Sequence, residues 1–111
     1  MNRTLRVRSR AEQDLSDASL WYERRVQGLG AHFIRCVDAA VSRVLRHPES
    51  GPIYFRQFRR VLVSRFPFGI FYTVETEAVV LHAVLHLSRD PDKIRKLLQT
   101  GPVDEDEGAT A

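Results

Sequence analysis

The stretch from Arg60 to Leu85, RVLVSRFPFGIFYTVETEAVVLHAVL, decides the fold. Three runs within it, 60–66, 69–75 and 78–85, are rich in Val, Ile, Phe and Tyr and are separated by FP and ETE segments. Such residues fit a pleated, half-buried surface, and brief turns between such runs predict successive antiparallel strands, a meander. Side chains alternate across a strand, so each run divides into two faces. Phe68, Ile70, Tyr72 and Val74 share one face, and Phe71, Thr73 and Glu75 share the other. In the last run Val79, Leu81, Ala83 and Leu85 oppose Val80, His82, Val84 and His86. With the more apolar sets turned inward, a ladder without a bulge leaves Arg65, Phe71, Thr73, His82 and His86 on the opposite, more open face.

Upstream the period changes. Residues 4–8, TLRVR, alternate and predict a short first strand. Ser9 with Glu12 three residues on has the pattern of a capping box opening a helix. Ala11, Leu15, Ala18, Tyr22 and Val26 then form one helical stripe, with Trp21 on its edge. The GLG at 28–30 breaks this helix, and a second is expected from Ala31 to His47 with Phe33, Val37, Ala40, Val41 and Val44 inside. Pro48 and the Gly51-Pro52 pair stop it. So short a break predicts an antiparallel helical hairpin. Asp90-Pro91 opens a short last helix, DKIRKLL.

The expected order is therefore β-α-α-β-β-β with a C-terminal helix, an α+β fold. A helical hairpin packs on one face of a small, mainly antiparallel sheet. One domain over residues 1–100 is expected, followed by an acidic disordered tail at 101–111, GPVDEDEGATA.

Charge is informative in its distribution. The net charge is +3, but four of the 14 acids are consecutive, Asp104 to Glu107. Outside that run 17 bases face 10 acids, and every base except Lys93 and Lys96 is arginine. Arginine forks pair with carboxylates and phosphates, which points to an acidic protein segment or a nucleic acid as partner. No run of about 18 apolar residues is present, so no membrane span is expected. The first residues have no apolar signal core, and a cytoplasmic protein is expected. The single cysteine, Cys36, reads as an unreactive thiol. No Cys/His/Asp/Glu cluster has ligand spacing and no serine sits in a Gly-x-Ser-x-Gly turn, so neither a metal nor a serine nucleophile is expected. Cleavage of RNA needs a base, an acid and cations for the phosphate. Arg65, His86 and Arg89 have the chemistry for those roles, with Phe71 to stack a base.

Four segments in order, WYERRVQGLGAHF (21–33), RHPESGP (46–52), RRVLVSRFPFGIFYTVE (59–75) and VLHAVLHLSRDP (80–91), resemble the RelE/ParE toxin superfamily. The resemblance covers about residues 4–98 and is closer to the ParE-like plasmid stabilisation branch. It implies the toxin of a type II toxin–antitoxin pair, neutralised by a cognate antitoxin, with neither cofactor nor metal. ParE-like members poison DNA gyrase through protein contacts; RelE-like members cleave messenger RNA on the ribosome. Under the first reading the partner-binding residues are Arg60, Arg65, Phe71, Ile94, Arg95 and Leu98. Under the second the catalytic set is Arg65, His86 and Arg89. Against the second, no tyrosine follows Tyr72 and the last segment is helix-forming rather than aromatic. A third reading is an inactive protein of toxin fold that only binds a partner.

Overall fold

A computed structural model describes residues 3–100; the segment 101–111, expected to be a disordered tail, lies outside them. The chain runs β1 (Thr4–Val7), α1 (Ser9–Arg25), α2 (Leu29–Arg46), a 3-10 turn (Pro48–Ser50), β2 (Ile53–Phe55), β3 (Phe58–Leu62), β4 (Phe68–Val74), β5 (Ala78–His86) and α3 (Pro91–Thr100). One sheet has the order β1-β5-β4-β3-β2. β1 runs parallel to β5, and every other neighbouring pair is antiparallel. This is the expected α+β architecture, a helical hairpin on a mainly antiparallel sheet with a short C-terminal helix. β2 is an addition to the expected order, because three residues are too few to show alternation.

The helical hairpin is tighter than the sequence implies. Ser9 is already helical and Arg8 occupies the cap without a side-chain bond, so the expected capping box does not form. Gly28 takes φ 88°, a turn that costs glycine nothing, and α2 begins at Leu29, two residues before the expected start. Gly30 is thus helical and buried, and a Cβ there would lie 2.5 Å from Ser19 O of α1. Its bareness lets the helices close. Glu23 bridges the junction: its carboxylate accepts from Gly28 N and Gly30 N, each at 2.9 Å. These bonds satisfy orphan donors at the start of α2 and hold the Glu23 carboxyl below its usual range. Val26 falls just past α1 and is exposed rather than on the stripe.

Phe33, Val37, Ala40, Val41 and Val44 of α2 and Ala11 and Ala18 of α1 pack on the sheet, as expected. Opposite them lie residues such as Val61, Ile70, Tyr72, Leu81 and Val84. The Tyr72 hydroxyl donates to Pro48 O at 2.7 Å and accepts from Gly51 N at 3.0 Å, so a core strand fixes the loop after α2.

The assumption of a ladder without a bulge fails at one residue. Phe71 pairs with Ala83 but Tyr72 pairs with Leu81, so His82 is an extra residue in β5. Beyond it the faces exchange. Val84 joins Leu81 under the hairpin, while Ala83 and Leu85 turn to the other side with Phe71. β1 pairs with β5 only as far as Leu81, and Asp14 of α1 takes over that edge by accepting from Val84 N at 2.9 Å. Burial raises the Asp14 carboxyl above its ordinary value, against the lowering pull of the Val84 bond and of Arg10 and Arg89.

The second face is not open. Ile94 and Leu98 of α3 pack on Phe58, Phe71, Ala83 and Leu85, with Tyr54, Phe55 and Leu97 around them. α3 therefore covers the face on which Phe71 was expected to be available. The sheet is a filling between two helical layers.

Asp14→Leu strands the buried Val84 N–H and is expected to cost about 1–3 kcal/mol in denaturant unfolding, the penalty of an unmade buried bond. Asp14→Asn keeps an acceptor and should cost less. A carboxyl raised in the fold contributes stability that is complete below its unfolded pKa and lost as pH rises through the folded one. The Asn variant should therefore lose less stability than the native chain between strongly acidic and neutral pH.

Candidate functional site

The β3–β4 connection and the end of β5 meet at one end of the sheet, beside the last turn of α1. Leu87 N donates to Pro67 O at 2.9 Å and Phe68 pairs with His86, which ties the two segments together. Arg65 belongs to this turn and not to a strand, because β3 ends at Leu62. Its φ of 71° is unusual for a residue with a Cβ and throws the side chain outward, where it is exposed. It is not on the open face of a strand, as expected; it stands on a corner.

His86 lies on the hairpin side, moved there by the bulge at His82. Its ring centroid is 5.2 Å from that of Phe68. Nδ1 accepts from Ser88 N at 3.1 Å and lies 2.8 Å from Ser88 Oγ, which leaves Nε2 as the protonated nitrogen. Arg89 follows in the same turn, where its charge acts on Asp14. The fold brings Arg65, His86 and Arg89 to one end of the sheet. Among the described residues, however, no hydrogen bond or ion pair joins the three side chains.

The other singled-out residues lie on the α3 side. Phe71, Ile94 and Leu98 are 1%, 3% and 5% exposed, core residues that a partner reaches only if α3 leaves the sheet. Arg95 is on the outer side of α3 and pairs with Asp92. Arg60 lies flat across β4: its guanidinium is 4.9 Å from the Tyr54 ring, and a Cβ on Gly69 would meet its stem at 2.9 Å. It makes no ion pair with any described acid. His82 and Thr73, expected on an open face, are largely enclosed; Thr73 Oγ1 is 2.9 Å from His82 Nε2, and the His82 ring stands 5.0 Å from Phe58. Burial, then the charges of Arg8 and Arg6, push the His82 pKa down to about 4, so it is a neutral structural histidine.

The sequence does not reveal a cavity of about 440 Å³ lined by Trp21, Tyr22, Pro67, Phe68 and His86. Its inner wall is aromatic, with Tyr22 4.9 Å from Phe66 and 6.2 Å from Phe68 between ring centroids. Trp21 forms the lip, 51% exposed, with the Arg25 guanidinium 3.6 Å above its ring. The only sequence signal was the place of Trp21 at the edge of the helical stripe. Among the described residues, no group of three His, Cys, Asp or Glu side chains is placed to hold a metal ion. Among them also, no helix is long and apolar enough to cross a membrane.

No protein-family model matches the chain, and no curated protein matches it in sequence. Among solved structures, it is similar to a chain of "Chromosomal ParDE TA system from P. aeruginosa". The TM-score is 0.68 at 15% identity, over 77% of this chain and 96% of that one. At that identity the likeness is one of fold alone.

A histidine whose pKa is lowered in the fold supports stability fully above its unfolded value near 6.5. That support is lost as pH falls toward about 4. Acid unfolding of the native chain should therefore steepen across this interval. His82→Gln, which keeps a polar partner for Thr73, should flatten it, as read by circular dichroism against pH.

Proposed function

We propose that this protein is the toxin of a toxin–antitoxin pair, neutralised by an acidic antitoxin, and that it acts by gripping a protein target rather than by cutting RNA. The observation that carries this reading is that two arginines at the surface of the sheet, Arg60 and Arg65, meet no acid among the described residues. Arg60 is held ready on Tyr54 and Gly69. Such forks suit the carboxylates of an antitoxin that orders as it binds. The fold likeness to a chain of a ParDE system supports the same class.

The target proposed is DNA gyrase, in keeping with the ParE-like resemblance of the sequence. Arg60, Arg65 and Arg95 are the proposed partner contacts at the surface. Phe71, Ile94 and Leu98 join them only through displacement of α3. The competing reading, a ribosome-dependent ribonuclease using Arg65, His86 and Arg89, draws on their common place at one end of the sheet. The last segment, a helix rather than an aromatic ending, argues against it.

Expression without the neighbouring gene is expected to arrest growth with filamentation, DNA-damage signalling and intact transcripts. His86→Ala should leave the arrest within about threefold of native, since loss of a general acid or base costs about 100-fold or more. Cleavage of transcripts within codons, abolished by His86→Ala, would establish the nuclease instead. No arrest in either form would favour a binding protein without toxic activity.

A further inference from the structure

The cavity beside Trp21 is apolar on its walls and carries one guanidinium, that of Arg25, on its lip. Tyr22 and Phe68 line it, Pro67 and His86 close one side, and Trp21 leaves about half its surface in water. A half-exposed tryptophan forgoes burial that a small domain needs, and no described side chain fills the space. Arg25 stacks on the Trp21 ring, and Arg24 precedes it in the same last turn of α1. The exposed Arg65 stands two residues before Pro67. The acid nearest in sequence to Trp21, Glu23, is already committed to Gly28 N and Gly30 N. His86 adds one donor, Nε2–H, because Nδ1 is taken by Ser88.

We infer that this cavity is the anchor point for the antitoxin: it accepts a bulky apolar side chain of an acidic segment, whose carboxylates lie against Arg25 and Arg65. The inference rests on the toxin reading above and adds a place and a chemistry to it. An aromatic floor supplies apolar area, and the arginine on its lip selects a negatively charged segment around the anchor. Charge decides between occupants. A second copy of this chain would bring its own excess of arginine to an already cationic lip, whereas an acidic segment relieves it.

Trp21 is the only tryptophan in the chain, so its emission reports occupancy directly. The test uses the full chain and the product of the short reading frame beside its gene, with any tryptophan of that product replaced by phenylalanine. Complex formation should shift Trp21 emission to shorter wavelength and protect it from acrylamide. Trp21→Ala is expected to weaken binding roughly 30-fold, as for an aromatic hot spot. Arg25→Glu, which leaves the cavity walls in place, should weaken it by a similar factor. A complex that forms with Trp21 emission unchanged, and that both variants enter with native affinity, overturns the cavity assignment and leaves the toxin–antitoxin reading standing. No complex at all removes both. A free chain whose Trp21 emission moves when Asp104–Glu107 are neutralised (Asp104→Asn, Glu105→Gln, Asp106→Asn, Glu107→Gln) puts its own acidic segment in the cavity and also overturns the inference.

Discussion

One extra residue in β5 governs the structure. His82 has no partner of its own in the β4–β5 ladder, and from that point the strand shows its two faces in exchanged order. Up to Leu81 the register gives the hairpin Val79 and Leu81; beyond His82 it gives the hairpin Val84 and the opposite layer Ala83 and Leu85. A strand buried on both sides in this way needs a cover on both sides. The hairpin is one, and α3 is the other. Past the bulge the edge of β5 is met by Asp14, so α1 is tied to the sheet by a half-buried carboxylate as well as by packing.

That constraint sorts the charges. With both faces covered, an arginine on the sheet has few options. It lies flat under a neighbouring ring, as Arg60 does on Tyr54, or it moves to a corner, as Arg65 does in the turn before β4. The surface open to a macromolecule is then the rim and the ends of the sheet rather than a broad face. Arg65, His86 and Trp21 stand together at one such end. Aromatic floor, donor and cations converge there from α1, the β3–β4 turn and β5.

How much of this was legible depended on how strongly each segment was patterned. The hairpin was legible because Phe33, Val37, Ala40 and Val44 repeat at helical spacing, with Arg35, Asp38, Ser42 and Arg43 off that stripe. The meander was legible from its Val, Ile and aromatic runs. The bulge was not, since β5 from Ala78 to Leu85 is apolar at every position but His82, and an alternation that is absent cannot show a slip. The turn at 64–67 was hidden for a related reason. SRFP carries no glycine or asparagine, and the chain instead puts Arg65 itself at positive φ. α3 was seen as a helix, but nothing in DKIRKLL says which surface Ile94 and Leu98 cover. The cavity was beyond reach because its walls are separated by more than 40 residues of sequence between Tyr22 and Pro67.

The cavity and the arginines together bear on how so small a fold would hold the proposed protein partner. A small fold has little apolar surface to spare, and a gap beside its core forfeits contacts that a larger side chain would have made. Closing it would be easy in a sheet otherwise packed with Phe, Tyr and Leu. Filling it would also remove a concave place where a partner can gain apolar burial without displacing α3. Electrostatic attraction alone, in a rim screened by salt, steers a partner but holds it weakly. An aromatic seat with Arg25 stacked on its lip supplies both terms at one point, and the bulge that sends His86 to that side of the sheet completes it.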